Sequence, residues 1–129
     1  MKLALICLYA GGVLHIGWAG FHFFFPRIFK WQTALEPLDS LNRSIMQVLN
    51  LCLTFYFAVA AYLSLVYAQE LLGTPLGRKL LAVFAAFWLL RLALQQRFFR
   101  MVHPASLLIS VAFLLTMLTY GIPLVVAGR

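Results

Sequence analysis

Hydrophobic residues run through this chain in four long stretches, and short polar segments separate them. The stretches cover Leu3–Phe25, Ile45–Ala68, Leu80–Phe99 and Ala105–Ala127. Each approaches or exceeds the about 20 residues that a helix needs to cross about 30 Å of hydrocarbon. The strands of a membrane β-barrel would be shorter and would alternate polar with apolar residues, and these stretches do not alternate. The pattern therefore predicts an all-α polytopic membrane protein in which four transmembrane helices form one domain over residues 1–129.

The connections between the stretches, which we number loop 1 to loop 3, contain signals for the beginnings of helices. Asp39 or Ser40 is suited to cap the second helix. Thr74 followed by Pro75 is typical of a cap and a first helical residue, and Pro104 has the same place before the fourth helix. Because each loop is short, we expect consecutive helices to be antiparallel neighbours in an up-down bundle.

Loop 1 has a helical pattern of its own. Its apolar residues fall on one helical face, at Ile28, Trp31, Leu35 and Leu38. This spacing predicts a short helix that lies in the membrane interface between the first two spans.

Composition supports a membrane location. Hydrophobic residues make up 64% of the chain and charged residues only 10%, which is more apolar surface than a small soluble domain can bury. The net charge of +7 suits contact with anionic lipid headgroups. The basic residues are spread over both ends of the helices, so nucleic acid is not an expected partner.

The basic residues also set the expected orientation. The side of loops 1 and 3 carries Arg27, Lys30, Arg43, Arg97 and Arg100, and the other side carries Lys2, Arg78, Lys79 and Arg129. The positive-inside rule then favours loops 1 and 3 in the cytoplasm.

Polar residues inside the stretches are the candidates for a functional site. His15 and His22 are seven residues apart, which brings the second ring back to nearly the same direction two turns later. Polar residues at helical spacing occur on the other helices too, and alternating helix directions place them at similar depth. The candidate ligand-binding set therefore lies in the half of the membrane that faces loops 1 and 3, and it consists of His15, His22, Arg43, Gln47, Asn50, Arg91, Gln95 and His103.

Arg91 is the most demanding member of this set. A charged arginine deep in a membrane costs about 2.5–3.5 kcal/mol on insertion scales, and such residues usually face the bundle interior. The only acids on this side are Glu36 and Asp39, both in loop 1. We therefore expect Arg91 to cluster with His15 and Asn50 and either to pair with one of these acids or to line a pocket for an anion.

This candidate set leaves three classes of function open. The first is a ligand-binding bundle for a redox cofactor such as haem, for a quinone headgroup or for an anionic lipid. A bis-histidine haem would need His15 or His22 from the first helix and His103 from the fourth. The second is an accessory, assembly or oligomer-forming subunit whose polar residues only join helices. The third is a compact transporter, in which proton coupling would fall to histidine. The pattern identifies no catalytic residues, and on balance we do not expect an enzyme.

Three segments of the chain carry a family resemblance. The segments "HxxWxxxHFFFPRIFKW", "LNRSIMQVLN" and "FWLLRLALQ" resemble small four-helix bacterial inner-membrane proteins of unknown activity. The resemblance covers most of the chain and implies a bacterial inner membrane, but it implies no reaction. The chain is also similar in size and Arg/Asn placement to the trimeric glutathione-using membrane enzymes, but it lacks the glutamate that those enzymes carry on their second span.

Overall fold

The computed structural model describes residues 2–99 and 103–126, and these residues are almost entirely helical. In chain order the helices are α1 (Lys2–Phe23), α2 (Phe25–Ile28), α3 (Trp31–Ala34), α4 (Ser40–Val66), α5 (Ala68–Gly73), α6 (Pro75–Phe98) and α7 (Pro104–Val126). The long helices α1, α4, α6 and α7 follow the four hydrophobic stretches, so the all-α class is confirmed. Three residues used in the sequence predictions lie outside the described residues: Arg100, Ala127 and Arg129.

The predicted capping residues are found at the beginnings of the later long helices. Asp39 accepts a 2.9 Å hydrogen bond from the backbone N–H of Asn42, and Asn42 Nδ2 donates to the second carboxylate oxygen at 2.6 Å. These hydrogen bonds hold the pKa of the Asp39 carboxyl below its usual range. Thr74 accepts from the backbone N–H of Gly77 at 2.9 Å, and α7 begins at Pro104 as expected.

Loop 1 folds as two four-residue helices, and the prediction of a single interfacial helix is wrong. Lys30, between α2 and α3, has φ 48° and ψ 51°. This left-handed conformation cannot occur inside a continuous right-handed helix. Arg43 of α4 donates to three carbonyl oxygens of the loop, those of Leu35, Glu36 and Leu38. The loop is therefore held against the beginning of α4 through its backbone.

The four long helices form an antiparallel ring. Helix α1 packs between α4 and α7, α7 packs on α6, and aromatic contacts such as the stacked pair Phe57 and Trp88 connect α4 with α6. The antiparallel direction of neighbouring helices is visible in the contacts between α1 and α7. Gly11 lies against Tyr120, and further along α1 the Trp18 indole donates to Thr116. The interior of the ring is strongly aromatic, and the polar residues described below lie within it.

Helices α1, α4 and α7 are the three described helices that are long and apolar enough to cross a membrane. Many large hydrophobic side chains on the outside of the ring are exposed, for example Phe55, Leu108 and Ile6. Both observations support an integral membrane location. Helix α6 contains four basic residues, Arg78, Lys79, Arg91 and Arg97, and it is not one of these three.

Candidate functional site

His22 and Asn50 join α1 to α4 through two hydrogen bonds. Asn50 Nδ2 donates to the backbone carbonyl oxygen of His22 at 2.8 Å, and His22 Nδ1 lies 3.0 Å from Asn50 Oδ1. Because the amide nitrogen is the donor of the first bond, Oδ1 is the acceptor of the second, and the proton of the neutral ring is on Nδ1. The ring also stacks on Phe25 with centroids 4.0 Å apart. The His22 ring is thus fixed in orientation and in tautomer.

His15 belongs to a different network, near the middle of the ring. The Trp88 indole donates to His15 Nε2 at 3.2 Å, and since indole nitrogen can only donate, the ring proton is on Nδ1. Nδ1 lies 3.0 Å from the Gly11 carbonyl oxygen and 2.9 Å from the Tyr120 hydroxyl. That hydroxyl is 2.9 Å from Ser64 Oγ. His15 is completely buried, and both of its nitrogens are occupied, so as it stands the ring has no nitrogen to offer to a haem iron.

Arg91 contacts aromatic rings. Its guanidinium carbon lies 4.7 Å from the ring centroid of Phe113 and 6.0 Å from that of Phe99, distances typical of cation–π interactions. The carboxylate of Asp39, a predicted partner, is bonded to Asn42. The arginine that reaches loop 1 is Arg43, and it binds carbonyl oxygens there rather than an acid.

Arg91 faces a cavity of about 340 Å³, which we call the Arg91 cavity. Six of its thirteen lining residues are Phe or Trp: Trp18, Phe21, Phe25, Phe29, Phe99 and Phe113. Four predicted site residues complete the lining together with small side chains of α7: His22, Arg91, Gln95 and His103. Gln95 is only 2% exposed and donates to Ser106 Oγ at 3.1 Å. The cavity thus combines flat apolar walls with a few fixed polar groups, as small-molecule sites do.

A second depression, the Arg43 groove, lies beside loop 1 and has a volume of about 520 Å³. Its lining includes three further predicted site residues, Arg43, Gln47 and Asn50. Arg43 is already bonded to loop 1, and the Asn50 amide is bonded to His22. The charged group of this groove and its asparagine are therefore already bonded to the protein itself.

The predicted set of eight residues is thus divided among three places. The Arg91 cavity has four, the Arg43 groove has three, and His15 lies with Trp88 and Tyr120. The expected cluster of His15, Asn50 and Arg91 is replaced by separate environments, although aromatic contacts through Phe57 connect the two histidines. Sequence reasoning did not identify the aromatic wall, because Phe residues in a span are also ordinary lipid-facing residues. The spacing of Phe113 from Ser106 and Ser110 on α7 is the signal that places it on the same face.

In comparisons with known proteins, no family model, no curated protein and no solved structure matches this chain.

Proposed function

We propose that this protein binds the headgroup of a membrane-soluble quinone in the Arg91 cavity. The observation that carries the proposal is the position of Arg91, whose guanidinium lies against Phe113 in a cavity with six Phe and Trp residues in its lining. A guanidinium is always charged and presents several N–H donors. A quinone carbonyl oxygen would accept from these donors, and the quinone ring would stack on the aromatic wall.

The aromatic wall favours a neutral flat ring over an anionic lipid headgroup. Aromatic faces carry a partial negative charge, which attracts the Arg91 cation and disfavours a phosphate at the same place. The other ionisable groups that line the cavity among the described residues are the imidazoles of His22 and His103. One guanidinium with aromatic neighbours therefore suits a polarised carbonyl better than a full negative charge.

The proposal includes a fourth membrane span, formed by α6. This helix has 24 residues, about 36 Å at about 1.5 Å per residue. It contacts α7 near its own middle, where the Phe84 and Tyr120 ring centroids are 5.3 Å apart, and near its end, where Gln95 donates to Ser106 at 3.1 Å. Its basic residues are near its ends except for Arg91, which lines the Arg91 cavity and lies over the Phe113 ring. In a variant without native cysteines, single cysteines at Gly73 and Gln96 should react with an impermeant thiol reagent from opposite sides, and labelling from one side would contradict the span.

The proposal also includes the orientation of the protein in the membrane and a bacterial inner membrane as its location. The excess of basic residues beside loops 1 and 3 supports a cytoplasmic location for these loops, and the family resemblance supports a bacterial inner membrane. In this orientation the Arg91 cavity would lie in the cytoplasmic half of the bilayer.

Fluorescence quenching by decylubiquinone tests the proposed function. Trp18 lines the cavity, so a bound quinone should quench its fluorescence in a saturable way in protein reconstituted in lipid nanodiscs. Arg91→Leu should weaken binding roughly 10- to 100-fold, because a hydrogen bond from a charged donor contributes about 1.5–3 kcal/mol.

Arg97→Leu is the matched control. Arg97 is on the same helix, and its guanidinium carbon lies 5.6 Å from the Phe98 ring, but it does not line the cavity. The control should keep the affinity of the original protein. Quenching that does not saturate, or equal affinity losses in the two variants, would contradict the proposal. So would a phosphatidylglycerol molecule that copurifies in an Arg91-dependent manner and is not displaced by the quinone.

A further inference from the structure

His22 lines the Arg91 cavity, and its pairing with Asn50 leaves one ring nitrogen, Nε2, uncommitted. Asn50 fixes the ring by accepting from Nδ1 and by donating to the backbone of His22. A reversed Asn50 amide would place Oδ1 against the His22 carbonyl oxygen, where it cannot bond, so Oδ1 remains the acceptor from Nδ1 and Nδ1 keeps the proton of the neutral ring. Nε2 is then a hydrogen-bond acceptor.

This acceptor has no protein partner within residues 2–99 and 103–126. His22 is only 9% exposed, and it is one of the residues that line the Arg91 cavity. A ligand in the cavity that donates a hydrogen bond would satisfy this acceptor.

The rest of the polar lining supplies donors. Arg91 can only donate. The backbone N–H of Ala105 donates to His103 Nδ1 at 3.2 Å, so the neutral His103 ring has its proton on Nε2 and is a donor there as well. None of the described residues that line the cavity is acidic. A complementary ligand therefore has an oxygen that accepts and, at another position, a hydroxyl that donates.

We infer that the Arg91 cavity selects the reduced, hydroxyl-bearing form of its ligand, a hydroquinone, over the oxidised quinone. This inference rests on the proposed function and concerns binding only. In a hydroquinone, one oxygen accepts from Arg91 and the other hydroxyl donates to His22 Nε2. In a quinone, the oxygen that faces Nε2 has no proton, so two lone pairs oppose each other and the acceptor stays unsatisfied. His22 is the residue that determines specificity, and Asn50 is the residue that positions it.

Anaerobic isothermal titration calorimetry with decylubiquinol and decylubiquinone tests this inference, at about pH 8, where imidazole is neutral. The original protein should bind the quinol about 10-fold more tightly than the quinone, the factor expected from one buried hydrogen bond. His22→Phe should lose this preference by weakening quinol binding, while quinone binding changes little. Arg97→Leu, on the same helix as Arg91 but outside the cavity lining, should keep the preference.

A folding defect must be separated from a change in specificity. His22→Phe leaves Asn50 Oδ1 without its partner, although Nδ2 can still donate to the backbone carbonyl of residue 22. The double variant His22→Phe/Asn50→Leu, which removes both side-chain groups, should show the same loss of preference. Equal affinities for the two ligands in the original protein would overturn the inference and leave the proposed function standing. A preference that persists in both His22 variants would overturn it as well. If neither ligand binds the original protein, the proposed function itself fails.

Discussion

At the scale of single residues, the interior of this protein is organised by hydrogen bonds whose direction can be worked out. Trp88 can only donate, which fixes the His15 tautomer and makes Nδ1 the donor toward Gly11 and Tyr120. The Tyr120 hydroxyl can then donate to Ser64 Oγ. Each long helix contributes a residue to this network, so it joins all four elements of the ring.

Tyr120→Phe should therefore destabilise the fold. The substitution removes the hydroxyl that connects His15 with Ser64 and leaves buried polar groups with fewer partners. We expect a loss of roughly 1–2 kcal/mol in the free energy of unfolding, since hydrogen bonds between membrane helices contribute about 0.6 kcal/mol and unsatisfied groups cost more. Thermal unfolding in detergent, followed by circular dichroism, measures the difference.

Tyr56→Phe is the matched control. The Tyr56 hydroxyl is buried and has no hydrogen-bond partner in the described structure. Its removal should leave the unfolding temperature unchanged or raise it, because an unsatisfied polar group is removed. If the two substitutions lower stability equally, the network around Tyr120 does not contribute what its geometry indicates.

The sequence indicated which residues are polar inside the ring, but it did not indicate their partners. His15 and His22 were predicted to share a face of one helix, and both are buried. Their partners Trp88, Tyr120 and Asn50 come from other helices, and the rotation of each helix about its axis decides which residues meet. A rotation by one residue turns a helix face by about 100°. The spacing of His15 and His22 within α1 therefore cannot show which of them meets Asn50 and which meets Trp88.

At the scale of helices, local signals were sufficient for most boundaries. The caps at Asp39 and Thr74 and the proline at Pro104 mark the beginnings of α4, α6 and α7. The exceptions are the left-handed Lys30 in loop 1 and the separate helix α5. No glycine marks the turn at Lys30, and nothing in the sequence around Val66 ends a helix by itself, so tertiary packing decides both.

Close approach between α1 and α7 depends on Gly11. A Cβ atom at this position would lie 2.7 Å from Thr119 Oγ1 and 2.9 Å from the Tyr120 hydroxyl. Gly11→Ala should separate the two helices and reduce stability by about 1–3 kcal/mol, as overpacked cores do. The thermal unfolding assay in detergent should show a clear decrease in midpoint.

Gly17 is the control on the same helix, because a Cβ atom there would have no neighbour within 4 Å. Gly17→Ala should be neutral or stabilise the helix by up to about 1 kcal/mol, since alanine has the higher helix propensity. Equal destabilisation by both substitutions would mean that α1 does not pack on α7 at Gly11.

At the scale of the whole molecule, seven of the eight predicted polar residues line two depressions that share one hydrogen-bonded pair. The hydrogen-bonded pair of His22 and Asn50 separates the Arg91 cavity from the Arg43 groove, and each member of the pair faces one of them. The sequence predicted a polar half of the bundle but not this division. Similar depth along the helices predicts one layer of polar residues, whereas the ring of four helices leaves room for aromatic side chains between them.

The central claim is that the Arg91 cavity, rather than the Arg43 groove or the general lipid surface, holds a quinone headgroup. The most direct measurement is the site at which a photoreactive azidoquinone attaches to the protein in nanodiscs, identified by peptide mass spectrometry. We predict that the label is found on cavity residues such as Trp18, Phe99 or Phe113, that excess decylubiquinone prevents it, and that Arg91→Leu reduces it. Label found mainly on Trp31 or Gln32 of the Arg43 groove, or spread over lipid-facing residues and not reduced by competitor, would contradict the claim.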